Sequence, residues 1–390
     1  MKQLIFAWLI LSGLALNAQN YKSTYFYVSS HPDDWQLFSG IHAWNDISND
    51  SNKVVFIYIT AGDAGLMNGQ CCDAATPYYL AREKGAKYSV EFIVNSHAFP
   101  HSPYKGTTGH PKFNNHSVLR YRYLNTTSYF LRLPDGSFDG TLPFSLQKFY
   151  NNEIDSLQPV DQSTTYANWN DLITTVTRII SYEKTGSEKW IRYPDPNPAQ
   201  NPNDNSDHLH TGLLIQSAIA DFEDLNQHLY KNYITGYMTR NLDKDQTKIE
   251  SGLFAAYCMG ITLSKYPTDW IENYTVYLDR DFYRVIEAED DSIDDRPVES
   301  DLEPDLILND CYPNPAFDKT EISFHLNKST AVTVSVFDIQ GRLIKEITNA
   351  YLQEGDYALK LDVSYFDDGM YIVRVNDGVV NEETTLIVIH

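Results

Sequence analysis

The chain has 390 residues, and at about 150 residues per domain this length predicts two or three domains. A hydrophobic content of 42% supplies a packed core, which excludes disorder over most of the chain. The net charge of −22 would repel phosphate backbones, so the sequence disfavours a nucleic-acid partner. Four cysteines are too few for a disulfide framework, although Cys71 or Cys72 could pair with Cys258.

The N-terminus has the pattern of a secretory signal peptide at residues 1–19. Lys2 supplies a positive charge, an apolar run follows from Leu4 to Leu16, and small or neutral residues precede Gln19. A run of about 13 residues is shorter than the roughly 20 that span a bilayer, so a membrane anchor is the weaker alternative. We expect a protein that is secreted or displayed at the cell surface, with no transmembrane segment after cleavage.

Strand and helix patterns alternate through residues 20–286. Apolar runs at 25–28 and 54–59 predict strands that are buried on both faces, and helical spacing follows each of them at 35–46 and 77–90. Another helix is expected over 207–225, with Ser206 as its N-cap. This order predicts a mainly parallel α/β sheet with helices on both faces. The Tyr- and Asn-rich stretch 97–159 is expected to be loop-like and to form a pocket rim.

A change in composition separates this large domain from a smaller one. Between residues 287 and 305 there are ten Asp and Glu residues and a single Arg, a composition that repels itself and cannot collapse. We therefore predict an acidic linker at 287–306 and a second domain at 307–390. There, strictly alternating strands at 321–326 and 332–336 and regularly spaced glycines predict a small all-β sandwich.

The candidate chemistry lies directly after the first strand and at the start of the last helix. His31 and Asp34, on a loop stiffened by proline, can coordinate a divalent metal, and Asp33 is then left to face a metal-bound water. One histidine from the cluster at 205–210 would complete a His₂Asp set. Zinc in hydrolases keeps three such ligands and one open position, and it lowers the pKa of bound water to about 7. A nearby carboxylate can then act as general base and later as acid.

Ordinary structural roles explain the same residues without a metal. The aspartates after His31 can cap a helix and close a turn, and histidines near a helix start can lie on the surface. The remaining histidines of the large domain have no partner pattern and are expected to be ordinary residues, namely His42, His97, His101, His110, His116 and His228.

Several motifs, in this order, resemble the PIG-L/LmbE-like family of metal-dependent de-N-acetylases. They are His31-Pro32-Asp33-Asp34, then Ile59-Thr60-Ala61-Gly62-Asp63-Ala64-Gly65, then Arg82-Glu83, then Asp207-His208 followed by Gly212. The resemblance implies a Rossmann-like fold and action on N-acetylglucosamine-containing compounds. It implies His31, Asp34 and His208 as zinc ligands, Asp33 as general base and Arg82 as a substrate contact, although an exposed helix charge is an equal alternative for Arg82.

Two positions depart from the family pattern. Trp35 follows the first motif where Glu or Ala is usual, and Asn205 stands where the second motif usually has its first histidine. An Asn amide can donate a hydrogen bond to an oxyanion but cannot transfer a proton. We therefore expect Asn205 to stabilise the oxyanion and Asp33 alone to deliver the proton, since His210, two residues beyond His208 along the helix, would face another way.

The small domain resembles the type IX secretion C-terminal sorting domain. The matching segments are 312–316, 336–342 and 369–375, followed by an apolar terminus at 386–389. The resemblance implies export across the outer membrane with the type IX secretion machinery as partner. A carbohydrate-binding sandwich is the alternative.

Together these patterns predict a secreted zinc-dependent N-deacetylase acting on an N-acetylglucosamine-type sugar or glycoconjugate. Imidazole and carboxylate also suit other divalent metals. A glycosidase, which would use two carboxylates and need no metal, is one competing class. A catalytically weak or inactive carbohydrate-binding protein on the same fold is the other.

Overall fold

A computed structural model describes residues 21–67, 74, 76–97, 105–288, 306–309, 311–338, 342–377 and 381–390. The predicted signal peptide, Cys71, Cys72, His101 and nearly all of the acidic linker lie outside the described residues. Cys258 is buried, and its pairing with Cys71 or Cys72 stays a prediction. None of the helices in the described part of the chain has the length and apolar character needed to cross a bilayer.

The large domain contains ten strands, eight α-helices and one 3₁₀ helix among the described residues. The strands are β1 (Ser23–Ser29), β2 (Asn52–Thr60), β3 (Thr107–Gly109), β4 (Lys112–Phe113), β5 (His116–Ser117), β6 (Leu119–Tyr123), β7 (Thr126–Leu133), β8 (Glu188–Pro194), β9 (Asn226–Tyr230) and β10 (Tyr283–Ile286). The helices are α1 (Asp34–Phe38), α2 (Gly40–Ser48), α3 (Tyr78–His97), α4 (Leu146–Tyr150), α5 (Trp169–Glu183), α6 (Ser206–Ala218), α7 (Lys244–Leu263), α8 (Glu272–Thr275) and the 3₁₀ helix Tyr233–Tyr237.

Eight of these strands form one sheet in the order β10-β9-β8-β1-β2-β7-β6-β3. The five central strands are parallel and the three at the edges are antiparallel. Successive residues of the central strands pack on opposite sides: Phe26 and Ile57 lie in the core with α5 and α6, whereas Tyr27 and Phe56 lie in the core with α2 and α3. The sheet is therefore covered by helices on both faces, which confirms the predicted α/β class.

The C-terminal residues form two packed antiparallel sheets. The strands are β11 (Leu306–Leu308), β12 (Lys319–Leu326), β13 (Thr330–Asp338), β14 (Leu343–Leu352), β15 (Gly355–Asp362), β16 (Gly369–Asn376) and β17 (Asn381–Val388). One sheet has the order β11-β12-β15 and the other β14-β13-β16-β17. Inward-facing residues from both sheets share one apolar core, which confirms the predicted all-β domain.

Three local predictions in the large domain differ from the structure. The helix expected over 35–46 is two helices, because the chain leaves helical conformation at Ser39 (φ −150°) and Gly40 then approaches α7. The helix expected to end at 225 ends at Ala218, and its N-cap is Asn205 rather than Ser206. The Asn205 Oδ1 atom accepts a hydrogen bond from the Asp207 N–H at 2.7 Å, a geometry that side-chain type alone does not decide.

The prediction of a loop over 97–159 was wrong. This stretch contains β3 to β7 and α4, and β7 pairs with β2 inside the main sheet. Seven of the eight β7 residues are buried, in keeping with their mostly β-branched, aromatic and apolar side chains. The frequent Tyr and Asn residues around β7 concealed this strand, although the end of β7 does reach the candidate site.

The small domain packs against the β3–β6 edge of the large sheet. Arg120 on β6 forms a buried ion pair with Glu382 on β17, with Nη2 and Oε2 3.3 Å apart. The neighbouring Arg122 donates a hydrogen bond to the Leu308 carbonyl oxygen at 3.4 Å. These contacts cover an edge that would otherwise offer unpaired backbone groups.

Helices α3 and α7 cross where two glycines meet. A Cβ atom at Gly260 would lie 2.5 Å from the Gly85 Cα, and one at Gly85 would lie 2.7 Å from the Tyr257 carbonyl oxygen. Both clashes involve main-chain atoms, which cannot rotate away. This crossing sets the position of α3, the helix that carries Arg82 towards the site.

We expect Gly260→Ala to lower the free energy of unfolding by about 1–3 kcal/mol, because the added methyl group separates the two helices. Chemical denaturation followed by circular dichroism measures this change. Gly252→Ala on the same helix is the control: its Cβ would meet only the half-exposed Phe92 ring at 3.3 Å, and alanine favours the helix by up to about 1 kcal/mol. Equal effects of the two substitutions would contradict the role of the crossing.

Candidate metal centre and its cavity

The candidate site lies at the carboxyl edge of the parallel strands. The central strand β1 has β2 on one side and β8 on the other, so the connections leave it in opposite directions and open a crevice. The loop 30–34 follows β1, the loop 61–67 follows β2, the loop 134–137 follows β7, and α6 begins after β8. The predicted residues therefore meet although they are far apart in the chain.

His31, Asp34 and His208 converge on one point. The Asp34 Oδ1 atom lies 3.3 Å from His31 Nδ1 and 3.3 Å from His208 Nε2, and the two imidazole centroids are 5.2 Å apart. All three side chains are buried. The other Asp34 oxygen accepts a hydrogen bond from the His31 backbone N–H at 2.7 Å, which fixes the carboxylate between the two rings.

Further carboxylates hold the far side of each ring. The His208 Nδ1 atom is 2.9 Å from Asp204 Oδ1, so its proton belongs there and Nε2 is left as a ligand atom. The His31 Nε2 atom is 3.4 Å from Asp207 Oδ2 and 3.8 Å from Asp135 Oδ2. Such carboxylate contacts are usual around metal-binding histidines because they select the tautomer and orient the ring.

The donor geometry fits a tetrahedral ion such as zinc. Ligand atoms at 2.0–2.2 Å from a tetrahedral centre are separated by roughly 3.3–3.6 Å, and the two separations that involve Asp34 Oδ1 are both 3.3 Å. Two nitrogens and one carboxylate oxygen leave a fourth position for water, as in catalytic rather than structural zinc sites. The same donors suit other divalent ions.

The electrostatics also favour a cation. Burial lowers the pKa of His208, but the carboxylates of Asp204 and Asp34 outweigh burial and raise that pKa to about 10. Burial likewise opposes protonation of His31, yet Asp34 and Asp207 hold its pKa well above the usual range. Four carboxylates thus surround two imidazoles in a buried site, and this excess of negative charge favours either protons or a metal ion there.

Asp33 stands apart from this cluster and is paired with Arg82. Burial raises the pKa of Asp33, and the Arg82 guanidinium, which donates a hydrogen bond to Asp33 Oδ1, acts in the opposite direction. Arg82 is buried, so the alternative of an exposed helix charge is wrong. A Cβ at Gly62, whose φ is +54°, would lie 2.8 Å from Pro32 and 3.0 Å from Arg82, so the glycine lets the loop after β2 cover this pair.

Asn205 lines the same cavity as His31 and Asp33, and its Oδ1 atom is engaged as the cap of α6. His210 lies elsewhere: its Nδ1 atom is 2.7 Å from the Ser206 carbonyl oxygen, and its ring packs against Tyr150. Two groups of the described residues could hold a metal ion, His31 with Asp34 and His208, and His31 with Asp135 and Asp207, and the histidines that the sequence left as ordinary belong to neither. His42 and His116, for example, bind Asp281 and Asp171.

Sequence reasoning missed the carboxylates around the metal cluster. Asp135 follows β7, which is parallel to β2. Had the sequence shown β7 as a strand, Asp135 would have been a candidate because it lies just beyond the carboxyl end of that strand. Asp207 was noted only as part of a motif, and it accepts a hydrogen bond from the Gly136 N–H at 2.9 Å. Asp204 precedes the helix by two residues, a position that has no sequence signature of its own.

The cluster borders a cavity of about 380 Å³. The buried part of the cavity is lined by His31, Asp33, Arg82 and Asn205, and its entrance is lined by side chains from the surrounding loops, the 3₁₀ helix and α8. A cavity of this size is at the lower end of the range for small-molecule sites.

Three solved structures with similar folds are all deacetylases. N,N′-diacetylchitobiose deacetylase from Pyrococcus horikoshii is 14% identical with a TM-score of 0.38, covering 69% of this chain and 85% of that one. A zinc-inhibited form of teicoplanin deacetylase Orf2 is 9% identical with a TM-score of 0.34, covering 60% and 83%. A deacetylase–teicoplanin complex is 12% identical with a TM-score of 0.35, covering 60% and 86%. Similarity at this level carries no argument about activity.

No curated protein sequence matches this chain. Residues 310–390 match the family described as the secretion system C-terminal sorting domain. This match confirms the resemblance that the sequence motifs of the small domain predicted, and it indicates export to the cell surface or beyond. Over almost the whole of its β domain, the chain is therefore similar to the secretion system C-terminal sorting domains.

Proposed function

We propose that this protein is a secreted zinc-dependent hydrolase that removes an N-acetyl group from an N-acetylglucosamine-type sugar or glycoconjugate. The observation that carries the proposal is the convergence of His31, Asp34 and His208 on one point beside Asp33 at the base of a cavity. The order of motifs that resembles the PIG-L/LmbE-like family supports the same reaction. The C-terminal match to a sorting domain supports secretion.

His31, Asp34 and His208 would hold the zinc ion, which when bound polarises the acetyl carbonyl and lowers the pKa of a bound water. Asp33 takes a proton from the attacking water and later delivers it to the sugar nitrogen as the C–N bond breaks, so that acetate and a free amine leave. The Asn205 amide donates a hydrogen bond to the developing oxyanion. Its Oδ1 atom is engaged as the helix cap, which leaves the NH₂ group for this purpose.

Arg82 acts through Asp33 in this proposal. The sequence suggested a substrate contact, but the buried guanidinium donates to Asp33 Oδ1. This bond orients the carboxylate and leaves Oδ2 for the proton. It also opposes the effect of burial on the pKa of Asp33, so that the carboxylate stays available as a base.

A carbohydrate-binding protein without turnover is the second candidate, and the feature that favours it is Asn205. Because an amide cannot transfer a proton, proton delivery falls entirely to Asp33. Such a protein would bind N-acetylated sugars and release no acetate, which an acetate assay decides directly.

Two substitutions on α6 test whether His208 is a metal ligand. We expect His208→Ala to reduce bound zinc from roughly one equivalent to below about a tenth, because one of three protein ligands is lost. His210→Ala, two residues further along, should keep the full equivalent, because that ring lies outside the cluster. Elemental analysis after dialysis measures the zinc. Stoichiometric zinc in His208→Ala would contradict the assignment.

Asp33→Asn separates catalysis from metal binding. The amide cannot accept the proton, so we expect kcat for acetate release from an N-acetylglucosamine glycoside to fall by about 10²–10⁴-fold. The zinc content should stay unchanged, because Asp33 lies outside the ligand set. A variant that hydrolyses as fast as the parent protein would exclude Asp33 as the base.

The pH profile tests the pairing of Arg82 with Asp33. Burial raises the pKa of Asp33 and Arg82 lowers it, so Arg82→Gln should raise this pKa further. The base works only when deprotonated, and the acidic limb of kcat/KM should therefore move to higher pH. Lys84→Gln, on the same helix but lying over the Tyr88 ring, is the control. An acidic limb that stays in place or moves to lower pH in Arg82→Gln would refute the pairing.

A further inference from the structure

The cavity is divided into a polar floor and an apolar mouth. The charged and amide side chains that line it are all buried, namely His31, Asp33, Arg82, Asp135 and Asn205. Among the lining residues that reach the surface, Phe138 is 54% exposed and Leu142 is half-buried, and the half-buried Tyr233, Tyr274 and Ser137 add ring faces and hydroxyl groups. A ligand that fills this space meets polar groups at one end and apolar groups at the other.

Two loops build one side of the mouth and touch each other. A Cβ at Gly65 would lie only 2.6 Å from the Leu142 Cδ1, so the loop after β2 rests on the loop after β7. Phe138 and Leu142, both from the second loop, line the cavity, and Phe138 is exposed. Exposed apolar side chains at the entrance of a cavity are typical of a ligand-binding surface.

The aromatic part of the mouth is ordered by stacking. The Phe138 ring lies nearly parallel to Tyr233, at an interplanar angle of 3° and a centroid distance of 6.2 Å. Tyr233 in turn stacks on Tyr277 at 5.5 Å. An exposed ring supported from behind in this way presents a fixed apolar face to whatever enters the cavity.

The charges argue against an anionic ligand. Arg82 is the single cationic Lys or Arg side chain among the described residues that line the cavity, and it is paired with Asp33. Asp33 and Asp135 add negative charge to the floor, and the whole chain carries −22. The zinc ion of the proposed function lies at the floor, so a phosphate or carboxylate on the part of the ligand at the mouth would find no unpaired Lys or Arg in this lining.

We propose that the substrate is an uncharged glycoside of an N-acetylated amino sugar that carries an apolar aglycone, such as an alkyl chain. The sugar and its acetyl group occupy the floor, and the aglycone lies against Phe138 and Leu142 at the mouth. This proposal rests on the proposed function and names its substrate class. Each methylene buried there is worth roughly a fourfold gain in binding.

The test compares kcat/KM for acetate release from the methyl and octyl glycosides of N-acetylglucosamine, both below micellar concentrations. We expect the octyl glycoside to exceed the methyl glycoside by at least about tenfold, since several methylenes are buried. Phe138→Ser and Leu142→Ser, which both alter the apolar lining of the mouth, should each reduce this ratio to below about threefold. Phe92→Ser, which alters a ring 40% exposed at the side of α3 that faces α7, should leave the ratio unchanged.

Three results would overturn the proposal: equal rates for the two glycosides, a ratio that survives both mouth variants, or a larger gain from a second sugar in the N-acetylglucosamine disaccharide. A larger gain from a second sugar would indicate that Phe138 stacks on a pyranose ring. Release of no acetate from any glycoside would instead refute the proposed function. Calorimetric binding of the two glycosides then tests the mouth alone, with the same ratio expected in Kd.

Discussion

A buried carboxylate held between two imidazoles is the interaction on which the site depends. The Asp34 Oδ1 atom lies 3.3 Å from His31 Nδ1 and 3.3 Å from His208 Nε2. Asp34 and His208 are 174 positions apart in the chain. The winding of the sheet makes this contact possible. Because β1 is central and parallel to β8, the loop after β1 and the start of α6 emerge at the same edge.

Electrostatics then divide the residues at this edge into two groups. Four carboxylates around His31 and His208 create a negative site that favours a cation, whereas Asp33 has its own partner in Arg82. The separation matters chemically, because a carboxylate engaged with the metal could not also carry a proton. Burial is common to both groups, so neither arrangement would persist without its compensating charge.

The surroundings of the site leave the cavity open to a ligand. The mouth of the cavity is formed by loops, by the 3₁₀ helix and by α8 rather than by the sheet. The C-terminal domain packs on the lateral, antiparallel edge of the sheet through Arg120 and Glu382. It therefore leaves the carboxyl ends of β1 and β2 accessible to a ligand.

The residue pattern alone determined the α/β class, the separate β domain and His31 and Asp34 as candidate ligands, whereas resemblances to known families implied His208, Asp33 as general base and the sorting motifs. These features depend on local apolar periodicity and on motifs a few residues long. Only the tertiary structure brought Asp135 and Asp204 to the two imidazoles, recruited Arg82 to Asp33, and turned part of the stretch 97–159 into strand β7. Those outcomes depend on which strands become neighbours, and pairing between distant segments is a property of the packed chain rather than of any short stretch within it.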